Sequence, residues 1–156
     1  MEASLLIRRA QLSDAAALHS LHTAAVRTIC SQAYAPEIVD GWLAGRSPVG
    51  YRPPIERGDM IVAEGASGIL GFGEAVPGTI VGLYVRPDVA GRGIGSLLLR
   101  HLLTGACREP LQGVRVESTV NAASFYERFG FREVHRTAVQ RNNVYVPVVE
   151  MEYAGA

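Results

Sequence analysis

The chain has 156 residues, enough for one domain with a sizeable buried core, and it reads as a single domain over residues 1–156. Apolar residues make up 48% and charged residues 19%, which excludes an extended disordered chain. Fifteen basic and fifteen acidic residues cancel, so no basic field points to nucleic acid as a partner, and every basic residue is arginine.

The start, MEASLLIRRAQL, holds an apolar run too short for a signal peptide or a membrane span. Cys30 and Cys107 have no metal-like spacing and read as buried thiols, so the expected compartment is the cytoplasm, with no membrane partner. Residues 4 to 9 alternate as a first strand. Ser13 or Asp14 then caps a helix whose apolar face is Leu18, Leu21, Ala25 and Ile29. A second helix is expected from Pro36 to Ala44, and GRSPVGYRPPIERG after it reads as a loop. DMIVAE, GILGFGEAV and TIVGLYV follow as three antiparallel strands, the last stopped at Pro87. A helix spans about 93 to 108 and breaks at Pro110; GVRVEST is a strand. NAASFYERFG is a short helix with Asn121 as its cap and Gly130 as its stop. FREVHRTAVQR and VYVPVVEMEY close the chain as a hairpin around Asn142–Asn143. The order β-α-α-βββ-α-β-α-ββ predicts an α/β (α+β) fold, with helices packed on a mixed sheet.

Gly91, Gly93 and Gly95 open the central helix. Glycines at a strand-to-helix junction let an anion approach unpaired N–H groups at the positive end of the helix dipole. A P-loop requires a lysine, which this chain lacks. A dinucleotide fingerprint would need glycine where Ser96 stands, and would sit on the first βα unit. A turn that merely joins strand to helix stays open on these residues alone.

VGLYVRPDVAGRGIGSLLLRHLL resembles the acyl-CoA-binding segment of the GNAT superfamily of N-acetyltransferases, and NAASFYERFGFRE resembles that family's downstream segment. In the family's [Q/R]xxGx[G/A] loop the leading position is Ala90 here, and Arg92 stands nearby as a replacement charge. The resemblance implies a mainly antiparallel sheet with a splayed central strand pair, Thr79–Arg86 and Gly113–Thr119. It implies acetyl-CoA as co-substrate, held by backbone at Leu83, Tyr84 and Val85, by the loop Gly91, Arg92, Gly93, Ile94, Gly95 and Ser96, and by Asn121 and Tyr126. It also implies direct acyl transfer to a primary amine, with Leu83 or Val85 N–H facing the oxyanion.

The resemblance implies Tyr126 as the acid for the leaving thiolate, and its ordinary pKa of about 10, a little above a thiol's of about 8.5, suits that role. Glu74, in an apolar strand, and Glu117, on the neighbouring strand, are the candidate bases. His19 and His22 lie three apart on one helix, but no third ligand is evident, so no metal is expected. The segment from Cys30 to Gly58 is the expected acceptor wall, with Tyr34, Trp42 and Tyr51 among Arg46, Arg52, Arg57, Glu37, Asp40 and Glu56. Arginines beside aromatics suit an amine that carries an anion, whether a small molecule or a peptide N-terminus. A homodimer is compatible with this reading. The competing class is a non-catalytic acyl-CoA sensor or interaction module on the same fold.

Overall fold

The structure is a computed structural model and describes residues 5–105, 107 and 111–155. Seven strands, β1 (Leu6–Arg9), β2 (Met60–Gly65), β3 (Gly68–Val76), β4 (Thr79–Val85), β5 (Arg115–Thr119), β6 (Phe131–Arg141) and β7 (Val144–Tyr153), form one sheet. Its order is β1-β2-β3-β4-β5-β7-β6. Neighbours are antiparallel except β4 and β5, which run parallel. The helices are α1 (Ala15–Thr28), α2 (Pro36–Leu43), α3 (Arg52–Arg57), α4 (Ile94–Thr104) and α5 (Ala123–Glu127).

Alternate residues of β3 serve opposite faces of the sheet. Phe72 packs with Leu18 and Leu21 of α1 on one face. Gly71 and Gly73 meet α4 on the other, where Leu98, Leu99 and Leu102 are buried. A Cβ at Gly73 would stand 2.8 Å from Leu102 Cδ1, and one at Gly71 3.0 Å from Leu98 Cδ1. The glycines of GILGFGEAV therefore let α4 lie close on the sheet.

The parallel pairing of β4 with β5 is short: Thr79 faces Arg115, Ile80 faces Val116, and it ends there. On the other edge of β4, Gly82 faces Glu74 and Ile80 faces Ala75, which leaves Val81 as an extra residue. Such a bulge bends its strand and sharpens the local twist. The bend falls where β4 parts from β5, and a wedge-shaped gap opens between them.

The chain order and the mixed, mainly antiparallel sheet agree with the sequence reading. GRSPVGYRPPIERG is not a loop throughout, however: Pro48–Tyr51 form a 3-10 turn and Arg52–Arg57 form α3. Two adjacent prolines fit because they occupy the first helical turn, where N–H groups have no intrahelical partner anyway. Gly58, with φ of 80°, ends α3 in the left-handed region. The first strand begins at Leu6, and the central helix ends at Thr104; the expected break at Pro110 lies outside the described residues. Asn121 is not a helix cap: it sits inside a 3-10 turn, Val120–Ala122, whose N-cap position is Thr119. Asp14 occupies the N-cap position of α1, yet its carboxylate accepts the Gln11 N–H (2.7 Å) and pairs with Arg8 (2.9 Å) instead of capping α1. In the β6–β7 turn Asn142 takes φ of 54°. Its Nδ2 donates to the carbonyls of Gly41 (2.9 Å), Trp42 (3.3 Å) and Ala44 (2.7 Å), which closes the C-terminus of α2.

Candidate active site

The backbone direction of β4 follows from one hydrogen bond. Arg86 N–H donates to Leu70 O across to β3 at 2.8 Å. Backbone groups of an antiparallel strand alternate between its two edges. Those of Leu83 and Val85 therefore point away from β3, toward the gap left by β5. Their side chains pack with the α4 clusters, and the Tyr84 ring lies on the α1 face, 4.2 Å from His22 by ring centroids.

A cleft of about 510 Å³ occupies this gap, lined by Leu83, Tyr84 and Val85 of β4, by Ala90 to Ser96 without Arg92, and by Asn121, Phe125, Tyr126 and Arg128. Gly91 and Gly93 take φ of 83° and 86°, a region that favours glycine. Nothing within 4 Å would touch a Cβ at either, so the loop surface is open there. The α4 ladder starts with Leu97 N–H donating to Gly93 O at 3.1 Å. The N–H groups of Ile94, Gly95 and Ser96 thus have no intrahelical acceptor, and no side chain caps the helix. This is an anion cradle at the start of an eleven-residue helix.

A second cavity, of about 350 Å³, shares Tyr84 and Thr119 with the first. Glu74 and Glu117 both line it, together with His22, Trp42, Arg46, Tyr51 and Arg141. Burial raises the Glu74 carboxyl above its ordinary range, reinforced by Asp59 and opposed by Arg57. Glu117 is half exposed and lies 3.6 Å from Arg141. Glu74 enters none of the ion pairs among the described residues.

Tyr126 is 4% exposed, and burial pushes its hydroxyl pKa up, which keeps it protonated. Cys30 also lines the first cleft, and burial pushes its thiol up to about 11, so it is not a thiolate at neutral pH. On α1, His22 Nδ1 lies 2.8 Å from Tyr51 Oη and 3.0 Å from Arg46 Nη2. A guanidinium only donates, so Nδ1 accepts, and the ring carries its proton on Nε2. Burial and the Arg46 and His19 charges lower the His22 pKa to about 3, so the ring is neutral. The described residues contain no group of three or more His, Cys, Asp or Glu arranged to hold a metal.

The candidate catalytic and cofactor-binding residues other than Arg92, together with Trp42, Arg46 and Tyr51, line these two cavities, whereas Tyr34, Glu37, Asp40, Arg52, Glu56 and Arg57 line neither. Tyr34 lines neither cavity: its ring is buried, and its hydroxyl donates to Pro147 O (2.5 Å) and accepts Val120 N–H (3.0 Å). Arg92 is exposed and outside the cleft lining, whereas Arg128 lines it. His22 lines the second cavity as a buried partner of Tyr51 and Arg46. Arg128 follows α5 in the turn two residues after Tyr126, and Arg141 ends β6, far in sequence from the Glu74 and Tyr51 walls that it joins; neither was singled out in the sequence.

The acetyltransferase (GNAT) domain profile matches residues 56–133, half of the chain, and the chain belongs to the GNAT acetyltransferase family. It is an acetyl-CoA-dependent N-acetyltransferase of that family. It is similar to the uncharacterized N-acetyltransferase YafP of Escherichia coli K12, 25% identical over 150 residues and covering 96% of each chain. Among solved structures, a GCN5-related N-acetyltransferase from Rhodopseudomonas palustris superposes with a TM-score of 0.88 at 23% identity, over 97% of this chain and 96% of that one. The PaiA N-acetyltransferase of Thermoplasma acidophilum, solved with coenzyme A, gives 0.72 at 17% identity, over 96% and 99%. Both structures show the shared fold. No helix among the described residues is long and apolar enough to cross a membrane.

Proposed function

We propose that this protein transfers an acetyl group from acetyl-CoA directly to a primary amine, with the two substrates entering from the two cavities. The observation that carries this is their shared wall at Tyr84 and Thr119, beside the point where β4 leaves β5. Acetyl-CoA supplies an acetyl group already activated as a thioester. The residues fit it: the free N–H groups of Ile94 to Ser96 suit a pyrophosphate, Arg128 adds charge, and the Leu83 and Val85 amides face the gap as an unpaired strand edge. Coenzyme A bound to the similarly folded PaiA is consistent with that fit.

Glu74 takes the proton that the acceptor ammonium must lose before its nitrogen can attack. Its raised pKa makes it a stronger base than an exposed glutamate, and no arginine pairs with it. Glu117 serves this role less well because it is half exposed and already faces Arg141 at 3.6 Å. The Val85 or Leu83 amide stabilises the carbonyl oxygen as it gains charge. Tyr126 donates its hydroxyl proton in a hydrogen bond to the departing sulfur; burial favours donation over full ionisation. Cys30 stays protonated, which speaks against an acetylated-cysteine route.

The test is acetyl-CoA turnover across a panel of small amines and peptides, read as free thiol. Amine-dependent thiol release supports the reading. Coenzyme A binding without release toward any amine would make the chain an acyl-CoA sensor instead.

A further inference from the structure

The second cavity holds two charges left without partners. Arg46 enters none of the ion pairs among the described residues. Its guanidinium is held by neutral groups only, with Nη2 donating to His22 Nδ1 at 3.0 Å and Tyr51 Oη at 3.4 Å, and with the Tyr51 ring 5.8 Å away. Its Nε is buried and has no acceptor in the protein, nor has His22 Nε2, which the tautomer makes a donor. Two buried N–H donors and a free cation thus stand in one cluster that contains no carboxylate. Glu74, in the wall of the same cavity, is a carboxylate that enters no ion pair among the described residues.

Leaving either charge unmatched in a half-buried wall costs free energy. A ligand that brings both complements would satisfy both. From this we infer that the acceptor is zwitterionic: a primary amine that also bears a carboxylate, with the ammonium end on the Glu74 side and the carboxylate read by Arg46. The inference rests on the transferase reading above. A carboxylate suits this site better than a phosphate dianion because only one cation is unpaired, Arg141 being committed to Glu117. A guanidinium is also the side chain whose planar fork matches a carboxylate. His22 and Tyr51 act as positioning residues. The neutral imidazole holds Arg46 in place without cancelling its charge.

The experiment compares amino acids with their decarboxylated counterparts: phenylalanine with phenethylamine, tryptophan with tryptamine, histidine with histamine, and 4-aminobutyrate with propylamine. Thiol release gives kcat and KM for each. Calorimetry with a desulfo analogue of coenzyme A gives affinity without turnover. In the pair containing the preferred side chain, the carboxylate-bearing member should show kcat/KM and affinity greater by roughly ten- to a hundredfold, as for a hydrogen bond to a charged group. Arg46→Gln should erase that preference, bringing the kcat/KM values of the two members of each pair within about twofold of each other. Equal turnover of both members by the unaltered protein, or equal turnover of a lysine side chain blocked at both termini, overturns the proposal while the transferase reading stands. Thiol release toward no amine at all overturns the transferase reading and this proposal with it.

Discussion

Burial acts in the same direction on Tyr126 and Glu74, favouring the protonated form of each, and in the proposed mechanism that one shift suits two different tasks. It keeps the tyrosine hydroxyl protonated as a donor and raises the glutamate carboxyl above its ordinary value, which would make it a stronger base. Tyr126→Phe keeps the ring against Phe125 and Phe131 and deletes only the hydroxyl. Turnover should fall by roughly 10²-fold with acetyl-CoA affinity little changed, measured by steady-state kinetics and calorimetry. Glu74 must be deprotonated to act, and its pKa is raised, so the rate should climb with pH above the ordinary carboxylate range. Glu74→Gln should remove that rising limb and Glu117→Gln should keep it; the reverse outcome would move the base to Glu117. Arg128→Ala should weaken coenzyme A binding and flatten its dependence on salt, because it removes a cation from the cleft wall. The burial of Glu74 was readable from its apolar strand, and Tyr126 was singled out through the family motif that surrounds it. Tyr34 was not, because the partners of its hydroxyl lie at Val120 and Pro147, much further along the chain.

At the scale of elements, the site depends on how closely α4 can approach β3 and how firmly α2 is held. Gly73→Val would drive side-chain atoms into Leu102, where a Cβ alone already comes within 2.8 Å. Overpacking of this kind costs about 1–3 kcal/mol, and it should lower the thermal midpoint and also weaken coenzyme A binding by shifting the α4 N-terminus. Asn142→Gly keeps the left-handed backbone but deletes the donors that close α2. The expected loss is about 1 kcal/mol in denaturant unfolding, together with a raised acceptor KM because Trp42 lines that cavity. The strands, the glycine loop and the short aromatic helix were legible because periodicity and punctuation are local signals. The Val81 bulge and the capping by Asn142 were not, because each is a relation between segments. The helix α3 was hidden by prolines that usually break helices but are harmless in a first turn.

Across the whole molecule, the cluster that positions Arg46 also ties stability to pH. The unfolded chain protonates His22 near pH 6.5, while the folded chain keeps it neutral down to about 3. Between those values the unfolded state holds the extra proton. Stability therefore falls as pH drops through this window, by up to about 1.4 kcal/mol per pH unit from this one group. Glu74 acts in the opposite sense, since its folded form takes up a proton before its unfolded form does. The difference between the unaltered protein and His22→Gln isolates the histidine: the variant should show a shallower slope over this window in denaturant unfolding. In the proposed reaction acetyl-CoA and the amine occupy their two cavities at the same time, across the gap between β4 and β5. Initial velocities with both substrates varied, accompanied by the intact mass of the protein after acetyl-CoA alone, test this most directly. Intersecting double-reciprocal lines and an unmodified chain are predicted; parallel lines with an acetyl group on the protein would contradict it.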